Sequence, residues 1–267
     1  MAVRVWFGGD FVAVMAGGGA VLRDVRALLD GDGGGWRLGD VGASVNDGRL
    51  QIEFAPRGQG AALQISADNA GDTLRALGWT ERVSGGSLLI AGEQAARGGA
   101  MTGTFSLQEF RVRDASARAR ILQVLSLTGI FSALNQSGLD FVRLDGDFRY
   151  FGGVVNVTNT RAFGSSIGIT TEGGIVTDAN LIKLNGTVVP AYTINQVLGK
   201  IPILGQILTG GKNEGLFAAN YALRGSLDNP QVSVNPLSAL APGFLRNLLG
   251  GDVKPLDNQS VPPPPVQ

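Results

Sequence analysis

The chain has 267 residues, 22 basic and 22 acidic side chains, and neither Cys nor His. Those absences exclude disulfides, thiolate nucleophiles, Ser-His-Asp triads and His/Cys zinc sites. Zero net charge argues against nucleic acid as a partner, because such binders carry a basic surplus to displace counterions.

Hydrophobic residues reach 44% and Gly numbers 41, about twice its usual share. The amino-terminal stretch through Asp10 lacks the basic patch and unbroken apolar run of a signal peptide. Instead Val3, Val5 and Phe7 alternate, and Phe11–Met15 follow a Gly-Gly-Asp turn. This pattern reads as the interior of a β-protein, so the expectation is that Met1 is not a natural beginning. The apolar stretches Val12–Leu22 and Ile121–Leu134 fall short of the ~20 residues that span a bilayer.

Period-2 alternation dominates the rest of the chain. Leu50, Ile52 and Phe54 oppose Gln51 and Glu53. Leu63, Ile65 and Ala67 oppose Gln64 and Ser66. Later, Ile182, Leu184 and Val188 oppose Lys183, Asn185 and Thr187, and Phe217, Ala219, Tyr221 and Leu223 oppose Ala218, Asn220 and Arg224. Successive strand side chains point to opposite faces, so each segment predicts a strand with one apolar and one polar side. Gly-containing punctuation recurs between or within them, at Asn46-Asp47-Gly48, Gly85-Gly86, Gly98-Gly99, Asp145-Gly146, Gly152-Gly153 and Gly173-Gly174. Strands so closely connected build antiparallel meanders. The expected fold is mainly β: a long curved antiparallel sheet, either an open groove or a half-barrel, with a few short amphipathic helices.

Four helices are expected. The first runs Asp72–Leu77, capped by Asp72 and stopped by Gly78. The second covers Ser116–Asn135. The third, Thr193–Thr209, places Ile194, Val197, Leu198, Ile201, Leu204 and Leu208 at helical spacing, with Pro202 as a kink. The fourth, Asn235–Leu249, puts Leu237, Leu240, Phe244, Leu245 and Leu248 on one stripe behind an Asn235 cap and Pro236. Beyond residue 250 the Pro-rich tail, residues 251–267, is expected to be extended and disordered.

Few residues promise chemistry. The run from Asp30 to Gly35 begins like a calcium loop, but Gly34 stands where an oxygen ligand is required, so a Gly-rich turn is the better reading. Asp145 and Asp147 share a strand face that is expected to be solvated. The Gly205–Lys212 stretch fails as a phosphate loop on spacing and on Asn213. Arg111, Arg113, Arg118 and Arg120 cluster before the second helix, either as an exposed face or as a contact for anionic head groups. No nucleophile–base pair can be assembled and no cofactor or metal is implied, so the chain reads as non-enzymatic.

A one-layer sheet must cover its apolar face, and four short helices are too few for many strands. Acyl chains are natural fillers: at about 0.8 kcal/mol per buried CH₂, a tail of about 16 carbons gains roughly 12 kcal/mol before costs. The alternative is a barrel packed with its own Leu, Ile and Phe.

The segment Leu184–Gly211, LNGTVVPAYTINQVLGKIPILGQILTGG, resembles the carboxy-terminal region of AsmA-like proteins of the YhdP type. The likeness continues through Glu214–Arg246, EGLFAANYALRGSLDNPQVSVNPLSALAPGFLR. Upstream, Leu74–Gly78, Gly85–Ile90 and Leu144–Phe148 are similar too, so it is strongest over residues 73–250. The resemblance implies a periplasmic β-groove domain over residues 1–250, belonging to an envelope protein of Gram-negative bacteria anchored in the inner membrane. Such bridge-like lipid transfer proteins carry phospholipids toward the outer membrane and support its biogenesis. This chain would be the distal end-piece, without the anchor. On that reading Leu50, Ile52, Phe54, Leu63, Ile65, Ile182, Leu184, Val188, Phe217, Tyr221 and Leu223 line the lipid groove. The helices at Thr193–Thr209 and Asn235–Leu249 close it or touch a membrane surface. The last one leans toward closing it, since Arg246 is its sole basic residue. The competing reading is a self-packed scaffold that meets an envelope protein by strand addition at its amino-terminal edge.

Overall fold

The computed structural model describes residues 5–15, 20–32, 35–113, 139–165, 167–190, 219–227 and 229–235. Among the described residues thirteen strands and one helix follow one another in the order β1 (Val5–Met15), β2 (Val21–Asp32), β3 (Gly35–Val45), β4 (Gly48–Arg57), β5 (Gly60–Ala67), α1 (Ala70–Ala76), β6 (Val83–Gln94), β7 (Met101–Val112), β8 (Leu139–Phe151), β9 (Val154–Gly164), β10 (Ile167–Val176), β11 (Leu181–Pro190), β12 (Ala219–Ser226) and β13 (Gln231–Asn235). Among the described residues the strands hydrogen-bond in sequence order from β1 to β13, and the first and last do not pair with each other, so the sheet is not closed. This is the mainly antiparallel, open sheet that the alternation and tight turns dictate.

The chain forms two compact units, Met1–Asp114 with Asp140–Phe151, and Ala115–Leu139 with Gly152–Gln267. In the first unit the hairpin register sets apolar residues opposite one another. Leu50 faces Ala67, Ile52 faces Ile65 and Phe54 faces Leu63. A core gathers Leu22, Val25, Ala43, Val45, Leu50, Ile65, Ala67 and Leu88 beneath Ala70, Leu74 and Ala76 of α1. The helix approaches β6 so closely that a Cβ on Gly71 would lie 2.5 Å from Ser84 Cα.

The boundaries of α1 differ from expectation. Its cap is Asn69, whose Oδ1 accepts from Asp72 N at 3.1 Å while its Nδ2 donates to Asp72 Oδ2 at 3.0 Å. Asp72 is therefore the third helical residue of a reciprocal cap rather than the cap itself. The stop at Gly78 holds: its φ is +74°. Gly78 N donates to Arg75 O and Trp79 N to Leu74 O, at 3.0 and 2.8 Å, which satisfies the orphan carbonyls in a Schellman closure.

In the second unit, β9 and β10 pair with one bulge between Thr171 and Gly173. Asn159 there takes a positive φ of 50°, absorbing the extra residue without turning the apolar side chains outward. Ile167, Ile182, Leu184, Val188 and Ala219 are buried. The expected helices Ser116–Asn135, Thr193–Thr209 and Asn235–Leu249, and with them the tail, lie outside the described residues, except that Asn235 closes β13.

Candidate functional site

In the first unit, cross-strand pairing builds three apolar rows on one face of the sheet. The row Ala43–Leu50–Ala67–Leu88–Leu107 runs from β3 to β7, nearest α1. Beside it lies Val41–Ile52–Ile65–Ile90–Phe105, and farthest from the helix Gly39–Phe54–Leu63–Gly92–Gly103. Ala27 and Leu29 of β2 pair with Val41 and Gly39 and extend the last two rows by one strand.

Burial grades across these rows. The first is closed by the helix, with Leu50 2% and Leu88 4% exposed. In the second only Ile65 is buried; Val41, Ile52, Ile90 and Phe105 are half-buried. Phe54 and Leu63 in the third are also half-buried. Small residues dominate that third row. A Cβ on Gly92 would lie 2.9 Å from Met101 Sδ and 3.0 Å from Phe148 Cζ, so Phe148 of β8 packs over this position. The face is thus covered by the helix at one end and by Phe148 beside the buried Ala61 and Met101 toward the other, with Val41, Ile52, Phe54, Leu63, Ile90 and Phe105 half-buried between them.

The opposite face is polar. Rows Gln51–Ser66–Leu89–Ser106 and Glu53–Gln64–Ala91–Thr104 alternate with the apolar ones. A shallow depression of about 520 Å³ sits on this polar side, over Ala55, Ala62 and Ala91 and bordered by Glu53, Gln64, Thr102 and an Arg57–Glu93 ion pair.

In the second unit the corresponding apolar face carries Ile182, Leu184, Gly186 and Val188, paired in turn with Gly225, Leu223, Tyr221 and Ala219. Ile182 and Leu184 are 9% exposed and Val188 1%; Leu223 and Tyr221 are half-buried. Tyr221 is less a lining residue than a latch. Its ring crosses Gly186, where a Cβ would lie 2.8 Å from Tyr221 Cε1 and 1.8 Å from Thr170 O. The hydroxyl donates to Thr170 O at 3.1 Å and lies 2.5 Å from Thr171 Oγ1. Burial pushes the Tyr221 phenol up to about 12, against a smaller lowering by the Thr171 hydrogen bond.

Of the groove candidates, then, Ile52, Phe54 and Leu63 come together on a partly open face, joined by the buried Leu50 and Ile65. Ile182, Leu184 and Val188 are buried in the other unit. Phe217 and the helical candidates lie outside the described residues. The face also includes Val41, Leu88, Ile90, Phe105 and Leu107, which are not among the candidates expected from sequence, although Leu88/Ile90 and Phe105/Leu107 carry the same period-2 signal.

Two of the charged candidates, Arg111 and Asp145, form ion pairs. Arg111 Nε reaches Asp140 Oδ1 at 2.5 Å, and Arg143 Nε reaches Asp145 Oδ2 at 2.5 Å. In each case the hydrogen bond to the carboxylate, reinforced by its charge, raises the arginine pKa. Arg118 and Arg120 lie outside the described residues. Among the described residues no acidic side chains gather as a metal-binding group, and no helix is long and apolar enough to cross a membrane.

No protein-family model, curated protein or solved structure matches the chain.

Proposed function

We propose that this chain is a non-enzymatic lipid-binding end-piece whose first unit receives phospholipid acyl chains on the apolar face of β2–β7. The observation that carries the reading is the half-buried band in the middle of that face. Its rows stay apolar strand after strand, yet Val41, Ile52, Phe54, Leu63, Ile90 and Phe105 keep part of their surface uncovered. Contiguous apolar surface left open on a folded protein marks a place where something apolar sits. An acyl chain suits it, because contact needs no directional bonds and the rows offer none.

The resemblance of residues 184–246 to AsmA-like proteins extends the reading to the periplasmic side of the cell envelope and to phospholipid traffic supporting the outer membrane. The second unit fits the competing scaffold reading better, since Ile182, Leu184 and Val188 are already buried. The lipid-binding surface is therefore assigned to the first unit. The test is to purify the full chain, identify co-purifying lipid by native mass spectrometry, and measure uptake of a fluorescent phospholipid from vesicles. Bound phospholipid with saturable uptake supports the reading. A folded chain that carries no lipid and takes none up overturns it.

A further inference from the structure

In the first unit the two ends of strands β4–β8 carry different chemistry. At the end away from α1 three segments lie side by side: the β4–β5 turn Arg57-Gly58-Gln59-Gly60, the β6–β7 turn Ala95-Ala96-Arg97-Gly98-Gly99-Ala100, and the end of β8, Arg149-Tyr150-Phe151. Each carries one arginine, all three are exposed, and none of the segments contains Asp or Glu. The next carboxylates inward, Glu93 and Asp147, lie within β6 and β8, and Glu93 pairs with Arg57. Farther along the sheet β2 ends on Asp32, so the basic character belongs to β4–β8. At the helix end the connections hold Asp47, Asp68, Asp72 and Glu81. The arginine end also exposes aromatic surface. Tyr150 is 45% and Phe151 38% exposed, and the Arg149 guanidinium lies 5.7 Å from the centre of the Phe151 ring.

From this asymmetry we infer that the end of the first unit away from α1 docks on an anionic phospholipid surface. Tyr150 and Phe151 dip below the headgroups, and Arg97 and Arg149 lie at headgroup level. Aromatic rings settle at the boundary between headgroups and acyl chains, and arginines are drawn to the negative potential above it. A cation over a ring, as Arg149 lies over Phe151, keeps both groups together there. The uncovered area of the two rings is on the order of 150–200 Å², far below the ~800 Å² that each partner gives to a stable protein interface. A bilayer needs no complementary surface, because apolar side chains enter it singly. The helix end exposes Trp79, at 56%, but Asp47 and Glu81 there oppose an anionic surface. For its purpose the docking rests on the acyl-chain reading: the Phe54–Leu63 row is the part of the half-buried band farthest from α1, so this orientation turns that part toward the bilayer that supplies acyl chains.

The chain has no cysteine, so Ala96→Cys and Glu81→Cys each place one environment-sensitive fluorophore, at the arginine end and the helix end respectively. Both positions are exposed, and neither substitution removes an aromatic ring. Vesicles of mixed phosphatidylcholine and phosphatidylglycerol are expected to shift the emission of the label at residue 96 to the blue and to leave the label at residue 81 unchanged. Tyr150→Ser combined with Phe151→Ser, checked for folding by circular dichroism, is expected to weaken vesicle partitioning at least tenfold. Arg149→Glu is expected to weaken it on these vesicles more than on phosphatidylcholine alone. A full-length chain that does not bind the mixed vesicles overturns the inference. So does a blue shift at residue 81 instead of residue 96, or binding that the double serine variant leaves unchanged. Displacement of a fluorescent fatty acid in vesicle-free buffer separates this inference from the acyl-chain reading. A chain that binds the fatty acid but no vesicles loses the docking end alone. One that binds vesicles through Tyr150 and Phe151 but no fatty acid loses the acyl-chain reading alone.

Discussion

Leu50 and Phe54 lie on the same face of one strand, four residues apart, and differ in what covers them. That difference supports a graded substitution experiment. Leu50 is 2% exposed within the core beneath α1. Truncation to Ala removes buried methyl groups and leaves a cavity, at about 3–5 kcal/mol. Leu50→Glu adds a carboxylate with no partner, so its cost should reach most of the roughly 5–15 kcal/mol that holds such a domain together. Phe54 and its cross-strand partner Leu63 are half-buried, so Phe54→Gln with Leu63→Gln keeps both polar heads near water. The fold should lose about 1–2 kcal/mol. If acyl chains lie on these rows, each substitution withdraws on the order of 60 Å² of apolar contact. At ~25 cal/mol per Å² that is about 1.5 kcal/mol, or roughly tenfold in affinity per site. Urea denaturation followed by circular dichroism gives the first quantity, and displacement of a fluorescent fatty acid gives the second. Cooperative unfolding of the double Gln variant in buffer, or unchanged acyl binding by a folded one, refutes the reasoning.

The Tyr221 latch predicts a pH effect. Its phenol is raised from about 10 to about 12 in the folded chain, so the neutral form is favoured by folding. The associated stability is full below pH ~10 and falls as pH rises toward 12, by up to about 3 kcal/mol at the linkage rate per pH unit. Urea midpoints between pH 9 and 12 should therefore fall more steeply for wild type than for Tyr221→Phe; parallel curves would remove the latch. Gly186→Ala must push Thr170 O and the Tyr221 ring aside and should cost on the order of 2 kcal/mol by the overpacking mechanism, read as a lowered thermal midpoint. Asn69→Ala removes the observed cap of α1 and should cost about 1 kcal/mol, with Asn69→Ser, which keeps a capping oxygen without facing Asp72 with a second carboxylate, costing less. Equal stability of Asn69→Ala and wild type would show that the core, not the cap, holds the helix.

Much of this protein is written locally. Alternation at Leu50/Ile52/Phe54 and Leu63/Ile65/Ala67 is a property of the residues themselves, because a strand sends neighbours to opposite faces and water sorts them. The Gly152-Gly153 turn is equally local: both residues take positive φ, 57° and 75°, which a two-residue hairpin of this kind requires. Even the end of α1 at Gly78 follows from one residue's freedom to be left-handed. Only its start departs from the local signal, because Asn69 and Asp72 are both competent caps and the geometry of the preceding strand chooses between them.

Which apolar residues stay open was decided by the tertiary structure alone. Alternation makes Leu50, Phe54 and Leu184 equivalent, since each is an apolar side chain on the apolar face of a strand. Their burial depends on what lies over them: α1 covers Leu50, Phe54 is left half-buried, and Leu184 belongs to a separate buried face. Tyr221 likewise reads as one more lining residue until pairing sets Gly186 beside it and lets its hydroxyl reach across to Thr170 and Thr171. A strand knows its own two sides, but coverage is a contact between residues distant in sequence, and only the folded chain brings them together.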